Sequence, residues 1–433
     1  MRAFLVLLMA AAAIPGAARA EPMFRGDARH SGVYDAQGPR EFHRVRWAFP
    51  TGNRVVSSPV MQGGIVYFGS DDGSVYAVDA ESGRQLWRHA TQGPVPSTPA
   101  VAGDTVYVGS YDGRFYALDA RTGATRWKFR TEGERRFEAK GLHGATPSGQ
   151  TYFDTFDIYL SSPVVAGDAV YFGSGDGHLY ALDRTDGTLR WKFHTGDVVH
   201  ASPAYADGVL YFGSWDSYFY AVDAKTGQEK WRFHGGEDPV IHNQVGFQGS
   251  AAVVDGVVYV GCRDSNIYAL DAATGKEKWR IYNGGSWVIT SPAVTDGKVV
   301  FATSDTSLFH VVEAQTGKAI AKQQGKAYMF GSPAVARGVV YQPVMNGTLQ
   351  ARDLATGDLL WEYRTEASRE NAAWALTAEG RINGPMLYRS SNGESNIVAG
   401  ARQFAIGAMF SSPLVADNTV YVGSTDGFMY ALE

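Results

Sequence analysis

The chain has 433 residues, of which 45% are apolar and 13% aromatic, and it contains 51 glycines. This composition can fill a large core and suits many short strands joined by tight turns, which argues against a helical bundle. With 39 basic and 44 acidic residues, the chain gives no support for a nucleic-acid or anionic-membrane surface. Its single cysteine, Cys262, excludes an intrachain disulfide and a thiolate metal cluster, and we expect a small packed thiol.

Residues 1–20 have the pattern of a secretory signal. Arg2 precedes an apolar run from Phe4 to Ile14, and Ala18-Arg19-Ala20 is a small-residue cleavage site before Glu21. The run is too short to span a bilayer, and no cysteine near the junction could accept a lipid. We therefore expect a periplasmic or secreted protein, monomeric, with no transmembrane segment or lipid anchor. Cleavage removes two arginines and leaves 37 basic against 44 acidic residues, a net charge of −7.

Residues 21–46 form a lead-in segment before the first repeat. It contains Phe24-Arg25-Gly26-Asp27 and Ser31-Gly32. The stretch from Arg44 to Phe49, which begins at the end of this segment, has the pattern of a single outer strand.

From residue 47 to residue 433 the chain repeats one unit eight times, mostly about every 40 residues. The copies start at Ser57, Ser97, Ser161, Ala201, Ser250, Thr290, Gly331 and Ser411. A period near 40 with strand-like composition predicts an all-β fold, an eight-bladed β-propeller of four-stranded antiparallel blades.

One copy illustrates the predicted blade. Its four strands, A to D from the axis outward, are predicted at 161–166, 169–174, 178–183 and 188–193, with glycine-containing turns after B and C. A tryptophan recurs at the same place in strand D, which predicts packing between blades rather than a ligand platform. These tryptophans are Trp87, Trp127, Trp191, Trp231, Trp279 and Trp361.

The last copy stops at Glu433, before any strand D. The strand pattern around Trp47 supplies the missing strand, so we expect the two ends of the chain to complete the eighth blade together and close the ring.

The motif Tyr116-Ala-Leu-Asp119-Ala-Arg-Thr-Gly123, followed by Trp127, resembles the quinoprotein-type repeat, and the likeness covers about residues 47–433. One branch of that superfamily contains alcohol and glucose dehydrogenases, which bind pyrroloquinoline quinone with Ca²⁺ over the propeller axis. The other contains non-enzymatic propellers, including the lipoprotein of the outer-membrane β-barrel assembly machinery. This chain lacks the vicinal disulfide and the C-x-x-C-H haem segment of the first branch, and the lipid-acceptor cysteine of the second.

Three connections from strand D to the next strand A are expanded: crossover 1 (132–158), crossover 2 (234–248) and crossover 3 (366–408), the last with a helix predicted from Ser368. Because chain direction alternates within a blade, all three are predicted on the face that carries the B–C turns, here called the inserted face. Insertions in a repeat scaffold are frequent binding sites. The predicted ligand-binding residues of this face are Arg135, Arg136, His143, Trp215, His242, Asn243, Gln244, Arg263 and Trp287.

Each candidate also has a structural explanation. The histidines could make local hydrogen bonds, Arg135 and Arg136 could be a solvated pair, and the tryptophans could cover apolar parts of the loops. Alternatively, one rim of an axial pocket could hold a planar, anionic ligand such as a quinone tricarboxylate, and its residues would be His242, Asn243, Gln244, Arg263, Trp215 and Trp287.

Two functions follow from the sequence. The first is a non-enzymatic binding or protein-interaction scaffold that holds an envelope protein or extended ligand on the inserted face. The alternative is a pyrroloquinoline-quinone and Ca²⁺-dependent dehydrogenase of alcohols or sugars, with Asp238 or Asp264 as its base. No metal ligands are assigned.

Overall fold

A computed structural model describes residues 22–147, 149–237, 246–388, 390 and 392–433. The predicted signal segment lies outside the described residues. The chain folds into eight blades of four antiparallel strands each, arranged as one propeller, which confirms the predicted fold class. In blade 7 the lead-in strand Val33–Tyr34 adds a fifth, parallel strand beside Ala334–Ala336.

The strands of each blade follow in the order A, B, C, D. Blades 1 to 4 comprise Val60–Gln62, Ile65–Ser70, Ser74–Asp79 and Gln85–Ala90; Ala100–Ala102, Thr105–Ser110, Arg114–Asp119 and Thr125–Arg130; Val164–Ala166, Ala169–Gly173, His178–Asp183 and Leu189–His194; Ala204–Ala206, Val209–Gly213, Tyr218–Asp223 and Glu229–His234. Blades 5 to 7 comprise Ala252–Val254, Val257–Gly261, Asn266–Asp271 and Glu277–Tyr282; Ala293–Thr295, Lys298–Ala302, Leu308–Glu313 and Ala319–Gln324; Ala334–Ala336, Val339–Val344, Thr348–Asp353 and Leu359–Arg364. Blade 8 comprises Leu414–Ala416, Thr419–Gly423, Phe428–Leu432 and Val45–Pro50.

Strand A is shorter than predicted, because the first residues of the copy do not pair with strand B through their backbones and bond through side chains instead, largely to the next blade. In blade 3 the strand begins at Val164 rather than Ser161. The Ser161 hydroxyl donates to Ala201 O at 3.1 Å in blade 4 and accepts from Gly173 N at 2.9 Å in its own blade.

One hydroxyl-bearing residue near the start of each copy belongs to a ring around the propeller axis. The ring residues are Ser58, Thr98, Ser162, Ser202, Ser250, Ser291, Ser332 and Ser412. Seven bonds of 2.8–3.2 Å run from the backbone N–H of one ring residue to the hydroxyl of a neighbour. A cavity of about 40 Å³ remains at the axis, which is room for a few water molecules. The repeated serines therefore hold the blades together at the centre.

The recurrent tryptophans hold the blades together at the periphery, as predicted. Each indole N–H donates to a backbone carbonyl oxygen at 2.9–3.1 Å, and for Trp191 this acceptor is Ala224 O of the next blade. The position in blade 6 holds Ala321 instead. These residues are thus accounted for by blade packing.

The ring closes through the two ends of the chain, as predicted. Val45–Pro50 pairs antiparallel with Phe428–Leu432 as strand D of blade 8. The Glu433 carboxylate accepts from Arg44 and, at 2.7 Å, from Arg46. This closure leaves no open blade at the junction.

The lead-in segment crosses the face opposite the inserted face. Its Arg25 is 1% exposed and donates to Pro333 O at 2.6 Å and Pro292 O at 3.1 Å. Gly32 has a φ of +70°, and a Cβ on this residue would lie 2.0 Å from the Arg25 guanidinium. The glycine in this motif is therefore required for the arginine to reach the axis.

The crossovers contain the remaining elements. Crossover 1 has a hairpin of Glu138–Lys140 and Thr151–Phe153, and crossover 3 has three helices, α1 (Glu366–Ala375), α2 (Gly384–Leu387) and α3 (Gly393–Phe404). The short elements Phe24–Gly26, Val33–Tyr34 and Leu142–Gly144 complete the secondary structure. Helix α1 begins at Glu366, two residues before the predicted start, because Thr365 Oγ1 accepts from Ser368 N and caps it. No helix among the described residues is long and apolar enough to cross a membrane.

Glycines of the C–D turns pack against the tryptophan of the preceding blade. A Cβ on Gly187 would lie 2.5 Å from the Trp127 ring, whereas a Cβ on Gly103 would meet nothing within 4 Å. Both residues have positive φ, +76° and +62°. We expect Gly103→Ala to lower the free energy of unfolding by about 1–2 kcal/mol, and Gly187→Ala by about 1–3 kcal/mol more because the methyl group displaces the ring. Urea denaturation of both variants measures the difference, and equal losses would show that the tryptophan is not a tight neighbour.

Candidate functional site

The described parts of the three crossovers lie on the inserted face, where crossover 1 contacts both of the others. A Cβ on Gly400 of helix α3 would lie 2.1 Å from Thr155 of crossover 1, so the glycine permits close packing of the two segments. Gln248, at the end of crossover 2, donates to Phe156 O at 2.6 Å. The crossovers thus form one connected cap on the end of the propeller.

A buried arginine lies at the centre of this cap. Arg263, in the B–C turn of blade 5, is fully buried between the rings of Trp215 and Trp287, and its guanidinium carbon lies 4.2 Å and 4.0 Å from their centroids. Phe137 of crossover 1 stacks on Trp215 at 4.2 Å between centroids. Because two planar groups at that distance cannot share one face, both faces of Trp215 are covered.

Crossover 1 also supplies the anion for this arginine. Asp154 is fully buried and accepts from Arg263 Nη1 at 2.5 Å, while Gln248 Oε1 accepts from Arg263 Nε at 2.9 Å and from Nη2 at 2.6 Å. Burial opposes ionisation of Asp154, but the charges of Arg263 and His143 outweigh it and hold its pKa below the ordinary value. The bonded guanidinium and the carboxylate form a buried, matched ion pair.

A second buried cluster fixes crossover 1 to blades 3 and 4. His200 Nδ1 lies 2.7 Å from Asp157 Oδ1, and His200 Nε2 lies 3.7 Å from Glu134. Burial lowers the pKa of His200, but the two carboxylates outweigh this effect and raise it to about 10. Glu134 also accepts from Ser174 Oγ and from Gly175 N, each at 2.7 Å. At neutral pH, the positively charged His200 therefore binds Asp157 and Glu134, which fixes crossover 1 to the blades.

The other predicted residues of crossover 1 lie around this cap. Arg135 is exposed and pairs with Asp197 at 2.7 Å, and the Arg136 guanidinium lies 5.4 Å from the Phe153 ring centroid. His143 Nε2 lies 3.3 Å from Asp154, so this histidine is part of the ion-pair cluster around Arg263.

The two guesses for a catalytic base have different outcomes. Asp264 is 1% exposed and accepts from Gly236 N at 2.7 Å, from Asn266 N at 2.9 Å and from the Tyr268 hydroxyl, which makes it the cap of its turn. Asp238, His242, Asn243 and Gln244 lie outside the described residues. Cys262 is fully buried, and burial raises the pKa of its thiol, which confirms the expected packed thiol.

Sequence reasoning missed several residues of the cap. Asp154, Asp157 and Phe137 are in crossover 1, but nothing in their spacing distinguishes them from other loop residues. His200 could have been recognised, because it occupies the position directly before the first residue of a copy. In the seven other copies this position holds a residue that cannot ionise. A comparison of the repeats position by position would have selected it.

The quinone and Ca²⁺ that the resemblance implies do not fit the described residues of this face. Both faces of Trp215 are covered, the described partners of Arg263 occupy its three nitrogens, and the axial cavity of about 40 Å³ is far below the ~300 Å³ of a small-ligand pocket. No cluster of three or more His, Cys, Asp or Glu side chains in the described part of the chain could hold a metal ion. Crossover 1 fills the place predicted for a planar, anionic ligand.

A separate cavity of about 200 Å³ lies between crossovers 1 and 3 and the B–C turn of blade 6. Its walls are aromatic, with an acid, a histidine, an amide and a hydroxyl among them. The lining residues are His143, Thr155, Phe156, Trp287, Asp305, Tyr328, Phe330, Tyr388 and Asn396. The Trp287 indole N–H has no acceptor among the described residues. This cavity could take one side chain or a ligand of similar size.

Solved structures share this fold at low sequence identity. BamB from Moraxella catarrhalis has a TM-score of 0.65 and 16% identity, over 90% of this chain and 99% of that one. Quinohemoprotein alcohol dehydrogenase from Comamonas testosteroni has a TM-score of 0.69 and 15% identity, over 96% of this chain and 81% of that one. The computationally designed Ika8 protein has a TM-score of 0.64 and 17% identity, over 90% and 99%. Identities this low show the fold alone.

Among curated proteins, no sequence matches the chain. The family profile described as outer membrane protein assembly factor BamB matches residues 32–156, 157–284 and 263–433, and therefore nearly the whole chain beyond the lead-in. The eight blades, the axial serines and the quinoprotein-type repeat agree with this match, and the chain belongs to the family of the outer membrane protein assembly factor BamB.

Proposed function

We propose that this protein is an exported, non-enzymatic propeller that binds a protein segment on its inserted face, in the periplasm of a bacterium. The family profile supports a role in protein interaction, because its name is that of an assembly factor. The signal pattern of residues 1–20 supports export.

The observation that carries the proposal is the use of Arg263, Trp215 and Asp154 inside the cap. These side chains resemble a ligand site in composition, but they bond to one another and hold crossover 1 in place. Their role is to build a rigid surface. What this surface offers to a partner is the aromatic cavity, with Asp305 exposed at the B–C turn of blade 6.

The dehydrogenase alternative has only the fold in its support. Quinohemoprotein alcohol dehydrogenase shares the propeller at 15% identity, and the axial position in this chain is filled by its own residues. The scaffold function is therefore the better supported of the two.

Site-specific photo-crosslinking tests the proposal. A benzoylphenylalanine at Tyr388, in the cavity wall, should give an adduct with a defined envelope protein, and Tyr328→Ala should reduce its yield. The matched control is the same probe at Leu359, which is 50% exposed on a strand D at the rim. Equal adducts from Leu359 and Tyr388, or none from Tyr388, would contradict binding on the inserted face.

A further inference from the structure

The lead-in segment bonds to one backbone group in each of five blades. The middle residue of every strand A directs its N–H away from strand B, toward the axis, because it sits in a pair that does not bond to strand B. Five of these N–H groups donate to lead-in carbonyls at 2.7–2.9 Å. The pairs are Val101 N to Pro22 O, Tyr205 N to Ala28 O, Val253 N to Arg29 O, Val294 N to Ser31 O and Val335 N to Gly32 O.

The spacing of these bonds shows what kind of chain fits. Consecutive lead-in residues Ala28 and Arg29 bond to adjacent blades 4 and 5, and consecutive residues Ser31 and Gly32 bond to adjacent blades 6 and 7. Two successive carbonyl groups of the lead-in thus span one step between blades, on a backbone that turns at Ala28 and Arg29 and has a φ of +70° at Gly32. The bound segment also runs in the direction of increasing blade number.

Three equivalent N–H groups have no acceptor among the described residues: Met61 in blade 1, Val165 in blade 3 and Val415 in blade 8. Met61 and Val415 lie in adjacent blades, since blade 8 closes the ring against blade 1. Both line a groove of about 790 Å³, which is bounded on one side by Pro22 and Met23 and on the other by Tyr34 and Asp35. The groove is the arc that the lead-in leaves uncovered.

The floor of the groove is apolar and its rim is acidic. Val60, Leu414 and Tyr34 face it, and the carboxylates of Asp35 and Asp417 lie at its edge. Asp35 pairs with Arg337 at 3.1 Å, whereas Asp417 is exposed and forms no ion pair with a described residue. A segment with a basic side chain and the backbone path of residues 28–32 would therefore match both the backbone donors and the charge.

We propose that this groove, on the face opposite the inserted face, binds a basic segment of a partner polypeptide whose backbone follows the same path as the lead-in. Two successive carbonyl groups of that segment accept from Val415 N and Met61 N and so continue the path of the lead-in from blade 8 to blade 1. This is a second binding surface, and it does not depend on the function proposed for the inserted face.

The test uses a peptide that copies residues 28–33, Ac-Ala-Arg-His-Ser-Gly-Val-NH2, because this sequence binds the equivalent groups of blades 4 to 7. With ¹⁵N-labelled valine and methionine in the full chain, the Met61 and Val415 amides should exchange with solvent faster than those of Val253 and Val294. Adding the peptide should shift the Met61 and Val415 signals and slow their exchange. Two results would overturn the proposal. In the first, the four amides are equally protected in the free protein, which would mean that the chain's own N-terminal end covers the groove. In the second, the peptide shifts only signals of other blades.

Two variants distinguish this site from unspecific binding. Met61→Pro removes the N–H donor without removing a bond to strand B, and it should lower the affinity for the peptide about tenfold. Val165→Pro makes the same change in blade 3, outside the groove, and should leave the affinity unchanged. Asp417→Lys leaves the backbone donors in place and should also lower the affinity for the peptide. Equal affinity for Met61→Pro and Val165→Pro would contradict the proposed bonds, while crosslinking from Tyr388 should be unaffected by any of the three changes.

Discussion

Replacing Arg263 with methionine lowers the free energy of unfolding by about 3–5 kcal/mol, because it leaves the Asp154 carboxylate buried without its counter-charge. Asp154 and Arg263 are both fully buried, so water cannot replace the lost partner. The same change removes the guanidinium between Trp215 and Trp287, and the packing of the cap weakens with it. Urea denaturation monitored by tryptophan fluorescence measures the loss.

Two further variants identify the cause of that loss. Arg263→Met combined with Asp154→Leu should be more stable than Arg263→Met alone, since neither charge then remains unpaired. Arg126→Ala removes a solvent-accessible arginine that also pairs with two carboxylates, and its effect should be much smaller. If the double variant is no more stable than Arg263→Met, the ion pair is not what holds the cap.

Raising the pH from 6.5 to 10 should progressively destabilise the native protein through His200. The pKa of His200 is raised from 6.5 to about 10, so the folded state binds a proton that the unfolded state has already released. This stabilisation is fully present below pH 6.5 and is lost as the pH rises through 10. His200→Gln should lower the free energy of unfolding by about 3–5 kcal/mol at pH 7, because Asp157 then lacks its cation.

The pH profile is the decisive readout for His200. The unfolding free energy of His200→Gln should decline less than that of the wild type between pH 7 and 10, whereas His43→Gln, at an exposed position, should follow the wild type. Parallel profiles for wild type and His200→Gln would mean that the histidine is not charged in the fold.

The sequence predicted the propeller because the repeat encodes contacts that recur eight times. The serines near the start of each copy, the glycine of the C–D turn and the Trp191-type residues each keep one role in most blades, so the pattern is strong. The strand around Trp47 was recognisable for the same reason, because it has the pattern of a strand D but no strands A, B and C precede it. The start of strand A was misplaced, because the residues before it have the same polar alternation as residues that pair within a sheet.

The cap could be located from the sequence, but its internal arrangement could not. The crossovers interrupt the repeat, which placed Trp215, Trp287 and Arg263 on one face. The partner of Arg263 is Asp154, which is 109 residues away and lies in a loop with several other acidic residues. Such a pair forms only because a long loop folds back over the axis. The path of that loop cannot be predicted from any local periodicity in the sequence. The predicted ligand platform is therefore occupied by the chain's own aspartate.

Titration of the purified protein with pyrroloquinoline quinone and Ca²⁺ tests the central claim most directly, because the claim is that crossover 1 fills the axial position of the inserted face. Trp215 and Trp287 would report a quinone bound there through their fluorescence. We expect no saturable quenching, and no oxidation of alcohols or sugars with an artificial electron acceptor. Saturable quenching at one quinone per chain, together with alcohol or sugar oxidation that Asp264→Asn abolishes, would contradict it.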